Sequence, residues 1–94
     1  MVNKTARVIK NIQRMVPGLR KGSVTAELEH GMATFVISPT KQVELIVERM
    51  ELIFITMLVG EDGPLPQNII SSHEMTGPNK KEAVWIKELK EFTK

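Results

Sequence analysis

The chain has 94 residues, of which 41% are hydrophobic and 26% are charged, so we expect one small globular domain over residues 1–94. It lacks cysteine, which excludes disulfides and thiolate metal sites and fits a cytoplasmic location, and its longest apolar run, residues 52–59, is far shorter than the about 20 residues of a membrane span. The net charge of +2 hides a strong segregation, since residues 1–22 carry six cations and no acid while residues 23–78 carry two cations against eight acids.

An amphipathic helix is predicted over residues 4–16, with Asn3 as its cap. One side of this helix is apolar, and the opposite side carries cations. We call Arg7, Lys10 and Arg14 the basic stripe, with Lys4 at its edge. The stripe is therefore expected to face solvent.

A β-hairpin is predicted over residues 23–38, with a two-residue turn at His30–Gly31, because Gly accepts the positive φ of such a turn. The predicted register pairs Glu29 with Met32. In that register six apolar residues share one face: Val24, Ala26, Leu28, Ala33, Phe35 and Ile37.

A long helix is predicted from Thr40 to about Leu58, because Ser38-Pro39-Thr40 resembles a helix start. Its apolar residues keep a three-four spacing: Val43, Ile46, Val47, Met50, Ile53, Phe54 and Met57. The alternative interpretation makes residues 52–59 a strand, since several of them are β-branched. Spacing alone does not decide between the two.

Residues 60–66 and 76–78 have loop compositions, and the segment between them could add a short strand. A final helix follows the capping-box-like pair Asn79 and Glu82. Its apolar side is formed by Ala83, Trp85, Ile86, Leu89 and Phe92. Trp85 is interpreted as a core residue, with an interface anchor as the alternative.

These elements predict an α+β fold in the order helix, β-hairpin, long helix, loop and C-terminal helix, with the helices packed on one face of a small antiparallel sheet. A hairpin alone has two open edges unless residues 52–59 or 67–72 add strands. Pairing with a second copy, edge to edge or through the long helix, would cover what one chain leaves exposed. We therefore predict a homodimer.

The basic residues of the first 22 positions form the candidate binding site: Lys4, Arg7, Lys10, Arg14, Arg20 and Lys21. They could bind the phosphates of nucleic acid, or an acidic protein. They could equally be a solvated face with the acidic middle segment as an intramolecular counterpart. No aromatic residue lies near them in sequence to stack on bases, and no helix-turn-helix, RNA-recognition or KH motif is recognisable.

Catalytic signatures are weak in this sequence. His30 is expected at a hairpin tip, and the run Ser71–Glu74 has nucleophile, base and acid types without a known motif. Gly18–Ser23 lacks the pattern of a phosphate-binding P-loop, and Glu61–Asp62 is best explained as a turn. We expect no enzyme activity, no metal and no cofactor.

The sequence thus favours a small non-enzymatic binding or regulatory protein that acts through protein contacts in the cytoplasm, as a homo-oligomer whose expected state is a dimer. The alternative is a nucleic-acid-binding accessory protein that uses the basic first helix and the loop that follows it.

Overall fold

The computed structural model describes residues 3–72 and 82–94, and within these ranges two α-helices flank a run of five strands. Short 3-10 turns, Pro17–Arg20 and Leu28–His30, lie before and after the first strand. The strands pair antiparallel in chain order, as an up-and-down meander. The elements are α1 (Lys4–Met15), β1 (Ser23–Glu27), β2 (Met32–Ser38), β3 (Lys41–Val47), β4 (Leu52–Gly60), β5 (Gly63–Ser71) and α2 (Val84–Phe92).

Both helices pack on the same face of the sheet, which we call the inner face; the opposite face is the outer face. The core of the inner face combines strand residues with residues of both helices. Trp85 of α2 stacks on Phe54 of β4, with ring centroids 5.4 Å apart and planes inclined by 12°. The fully buried members include Ile12, Val16, Leu19, Phe35, Val43, Leu45, Phe54 and Leu89.

The predicted first helix is confirmed by α1. The side chain of Asn3 accepts a hydrogen bond from the Thr5 amide over 2.8 Å, which satisfies one of the free N–H groups of the first turn. Ile9 and Ile12 are buried, and the Val16 amide closes the helix by donating to the Ile12 carbonyl over 2.7 Å. The helix orientation expected from the apolar spacing is therefore the one observed.

The predicted hairpin is present as β1 and β2, but its register is wrong by two residues. Glu27, not Glu29, lies opposite Met32, and the connection is a 3-10 turn ending at Gly31, whose φ of 66° is left-handed. A shift of two residues keeps every strand side chain on its predicted face, because alternate residues share a face. The face pattern alone therefore could not fix the register.

The predicted long helix over Thr40–Leu58 is wrong, and so is the predicted fold of helix, hairpin, long helix, loop and helix. These residues form β3 and β4 of a sheet-dominated domain. They are joined by a turn in which the Glu48 amide donates to the Glu51 carbonyl over 3.0 Å. The alternative interpretation of residues 52–59 as a strand is confirmed by β4.

The physical reason for this error is that the stretch is apolar on both faces of the sheet. Leu45 and Phe54 face inward, whereas Ile46 and Ile53 form an opposing pair on the outer face, so a helical spacing can be picked out of a two-sided strand pair. The helix-start signal is also a turn signal. Here the Ser38 hydroxyl accepts a hydrogen bond from the Thr40 amide over 3.2 Å in the tight β2–β3 turn.

The C-terminal half contains a further strand and the final helix. β5 occupies most of the predicted loop and the ambiguous segment, and only Glu61–Asp62 forms the turn that leads into it, before Gly63 with φ 96°. The final helix is confirmed as α2, but its N-cap is Ala83. The predicted cap residue Asn79 and the loop at residues 76–78 lie outside the described residues.

Alanine substitution of two neighbouring residues on β3 tests this correction. We expect Leu45→Ala to lower the free energy of unfolding by about 3 kcal/mol, because it opens a cavity in the core, and Ile46→Ala by about 1 kcal/mol, because this side chain is only half-buried on the outer face. Urea titration followed by Trp85 fluorescence measures both. The reverse ranking would instead support the long helix, whose apolar side included Ile46 but not Leu45.

Candidate binding surfaces: the basic stripe and the outer sheet face

The basic stripe lies on the solvent side of α1, as its spacing predicts. Arg7, Lys10 and Arg14 are exposed, on the opposite side of the helix from the buried Ile9 and Ile12. Their side chains make no hydrogen bond or ion pair with another residue in the ranges 3–72 and 82–94. The stripe is thus a row of three cations that is available to a partner.

Two other members of the predicted basic site contribute to the fold. The Lys21 ammonium donates to the Thr93 carbonyl over 2.6 Å, at the end of α2, and the Lys4 ammonium donates to the Arg49 carbonyl over 3.4 Å. A cation at the C-terminus of a helix interacts favourably with the helix dipole. Arg20 is exposed in the 3-10 turn and makes no such contact with the described residues. The six predicted residues therefore do not form one uniform site.

A third lysine, which sequence reasoning did not single out, also contacts the end of α2. The Lys41 ammonium of β3 donates to the Phe92 carbonyl over 3.1 Å and lies 5.6 Å from the centre of the Phe92 ring. Lys21 and Lys41 together satisfy carbonyl groups that α2 leaves free at its last turn. These contacts anchor α2 on the inner face.

The acidic middle segment does not pair with the basic stripe among the described residues. Among the described residues, ion pairs join Lys94 to Glu91 over 2.9 Å and Lys90 to Glu82, and the His30 ring lies 3.4 Å from the Glu27 carboxylate. None of these involves α1. The interpretation of the acidic segment as an intramolecular counterpart of the stripe therefore finds no support in the described ion pairs.

The outer sheet face is the second candidate surface, and its residues form three rows across the strands. The middle row is Thr25, Thr34, Glu44, Ile55 and Ile69; the rows beside it are Glu27, Met32, Ile46, Ile53 and Ser71, and Ser23, Val36, Gln42, Met57 and Pro66. No described helix packs on this face, because both helices lie on the inner one.

The outer face changes from polar to apolar along the strand order. Its β1 end carries hydroxyl and carboxylate side chains, whereas the strands from β2 onward contribute an apolar group that we call the outer patch. Ile69 in this patch is 70% exposed. The patch consists of the half-buried or exposed Met32, Ile46, Ile53, Ile55 and Ile69; Met57 of the adjoining row is buried. Contiguous apolar surface of this kind marks contact sites in soluble proteins.

One carboxylate lies inside this apolar surface. Glu44 is on the central strand β3, directly between Thr34 of β2 and Ile55 of β4, and its side chain is half-buried. Throughout the part of the chain that the structure describes, it has neither a hydrogen bond nor an ion pair. The sequence prediction missed this surface, since the predicted long helix, Thr40 to about Leu58, left Glu44 outside its apolar side.

The other candidate residues of the sequence analysis do not come together as a site within the described residues. His30 is an exposed turn residue paired with Glu27, and the run Ser71–Glu74 extends beyond the described residues at His73. Gly22 lies against the β2 backbone, where an added Cβ would come within 1.7 Å of the Val36 carbonyl oxygen, so this glycine is explained by packing. Trp85 is half-buried on Phe54, as a core residue.

Metal-binding clusters and membrane-spanning helices are absent from the described residues. In residues 3–72 and 82–94, no group of three or more His, Cys, Asp or Glu side chains could hold a metal ion. In the same ranges neither helix has the length and apolar character needed to span a membrane. Comparisons with protein-family models, curated proteins and solved structures find no match to this chain.

Substitution of the adjacent cations Arg20 and Lys21 distinguishes a residue that stabilises the fold from one whose side chain is free to bind a partner. We expect Lys21→Met to lower the free energy of unfolding by about 1 kcal/mol, because the Thr93 carbonyl loses its donor at the end of α2. Arg20→Met, which removes the same charge one residue earlier, should change it by less than about 0.5 kcal/mol. Thermal and urea unfolding measure both, and equal losses would contradict the assigned roles.

Proposed function

We propose that this chain is a small non-enzymatic binding protein whose outer sheet face docks a protein partner. The observation that carries the proposal is the half-buried carboxylate of Glu44 within the outer patch. A cysteine-free sequence needs no oxidising compartment, so the proposal places this function in the cytoplasm.

The chemistry of the face specifies the partner. An apolar surface laid on the outer patch would remove water from Glu44, and an ionised carboxylate without a partner in a dry contact is costly. A lysine or arginine on the partner, placed among apolar side chains, would compensate that cost and fix the register of docking. The partner is therefore expected to present apolar residues around one cation.

The same carboxylate disfavours a second copy of this chain as the occupant of the face. Two outer faces packed about a central two-fold axis would bring both Glu44 carboxylates into one desolvated contact. Like charges in such a contact repel, with a cost of several kcal/mol. The outer face is thus better suited to a different protein.

Selection from a random peptide library tests the proposal without a known partner. We expect the selected peptides to carry a lysine or arginine between apolar residues. Glu44→Gln should weaken their binding by about 30-fold or more, since truncating one partner of a buried charge pair costs about 2 kcal/mol or more. Fluorescence anisotropy with the purified protein measures these affinities.

A matched control and a second disrupting variant complete this experiment. Glu61→Gln removes one negative charge from the exposed β4–β5 turn and should leave peptide affinity unchanged, whereas Ile55→Asp, beside Glu44, should abolish binding while the domain stays folded by circular dichroism. Peptides whose binding is insensitive to Glu44→Gln and Ile55→Asp would refute the outer face as the site.

A second candidate function, nucleic-acid binding, is favoured by the basic stripe. Arg7, Lys10 and Arg14 follow one side of α1, and seven residues of helix span roughly 10 Å, which is comparable with the spacing of a few phosphates. Because these cations make no contact with the described residues, phosphates would not have to displace an internal partner.

A charge-reversal experiment tests this candidate. If the stripe contacts three phosphates of duplex DNA, the logarithm of the binding constant should fall with the logarithm of salt concentration with a slope of about −2.7. The double variant Arg7→Glu/Arg14→Glu should abolish binding. Fluorescence anisotropy with labelled duplex and single-stranded DNA measures both effects.

The matched control is Arg49→Glu/Lys87→Glu, which changes two exposed cations outside the stripe and alters net charge equally. It should keep most of the affinity. Equal losses in the two double variants would show a response to net charge alone, and no binding at low salt would remove the candidate.

A further inference from the structure

The two edges of the sheet are protected unequally. On β5, at one edge, Pro64 and Pro66 cannot donate backbone hydrogen bonds, and the register shifts between Thr56 and Met57 of β4. Proline and irregular register are devices that keep an edge strand from pairing with another chain. β1, at the other edge, contains no proline and pairs regularly with β2 over all five residues.

The open edge is also accessible. Four of the five β1 residues are exposed, and only Val24 is half-buried, because the helices pack over the middle of the inner face. Within the described residues β2 is the strand that pairs with β1, so the outward row of β1 backbone N–H and C=O groups has no strand partner there. Such an edge is a template for another strand.

The charges at the two ends of β1 favour antiparallel pairing with the β1 strand of a second copy. Arg20 and Lys21 precede β1, while Glu27 and Glu29 lie at its end. If a second copy of β1 pairs antiparallel, the basic start of each strand lies beside the acidic end of the other, twice by symmetry. A parallel pair would instead place like charges together.

We propose that the chain self-associates through the β1 edge. The β1 strands of two copies pair antiparallel, so that the two five-stranded sheets form one continuous sheet of ten described strands. This inference goes beyond the proposed function, because it uses the edge and not the outer patch. It narrows the predicted homodimer to a single surface.

The side chains of β1 favour a register centred on Thr25. In that register Thr25 lies opposite Thr25 of the other copy, across the two-fold axis on the outer face. Opposing threonines on paired strands stabilise each other through their hydroxyl groups. Val24 then lies opposite Ala26 of the other copy on the inner face, and Ser23 lies opposite Glu27. The pairs are small or complementary, so the two backbones can approach to hydrogen-bonding distance.

Sedimentation equilibrium of the full chain over a concentration series tests the proposal. The wild-type mass should rise with concentration from 10.6 kDa towards twice that value. Thr25→Lys should shift the chain towards monomer, with dissociation at least about tenfold easier, because it places two ammonium groups opposite each other across the axis. Thr34→Lys, one strand inward in the same row, is the matched control and should dimerise like the wild type.

Charge exchange supplies an independent readout in chains that remain folded. Arg20→Glu and Glu29→Arg should each weaken the dimer by roughly fivefold, since each variant brings like charges together at both ends of the paired strands. The double variant Arg20→Glu/Glu29→Arg restores complementarity and should recover the affinity.

A chain that stays monomeric throughout the series would overturn the proposal. A dimer whose dissociation constant is unaffected by Thr25→Lys would also overturn it. So would a double variant Arg20→Glu/Glu29→Arg that binds its copy more weakly than either single variant. Dimerisation lost on Ile55→Asp but kept in Thr25→Lys would place self-association on the outer face and likewise refute the β1 edge.

Discussion

Packing on one side of the sheet is the constraint on which the rest of this structure depends. Within residues 3–72 and 82–94 of the 94-residue chain there are two short helices, and both lie on the inner face, where Phe35, Leu45 and Phe54 form the centre of the core. A small domain has room for one hydrophobic core, and here that core lies on the inner face. The outer face keeps its apolar side chains without a described helix over them, so the candidate docking surface is a direct consequence of the core.

The cations of the chain divide between support of this core and exposure to solvent. Lys21 and Lys41 donate to carbonyl groups at the end of α2 and so hold that helix against the sheet. On α1, by contrast, Ile9 and Ile12 are buried in the core, which turns the opposite side of the helix towards solvent. The stripe is exposed for the same reason that α1 packs. Its charge was predictable, whereas the roles of the two lysines depend on tertiary contacts.

The sequence predicts those elements whose two sides differ in polarity. α1 and α2 each bury one side, so the helical period and, for α1, the Asn3 cap identify them. β1 and β2 show the right faces, but their register depends on the conformation of the turn at Gly31. β3 was not recognised, and β4 was only the alternative interpretation of residues 52–59, because both of their faces carry apolar residues, which obscures the two-residue period. The outer patch was therefore missed with the strands that build it.

The three surfaces lie on different parts of the domain, which allows them to act together. The sheet separates the stripe from the outer face, and the β1 edge lies at one end of the strand order, whereas the outer patch runs from β2 to β5. Joining two β1 edges would place the outer faces side by side, with the two Glu44 residues five strand spacings, or about 24 Å, apart. A partner with two cationic anchors at that spacing would gain affinity through its second contact, since the first fixes its effective concentration. If both proposals hold, edge pairing would thus turn one docking face into a bivalent surface.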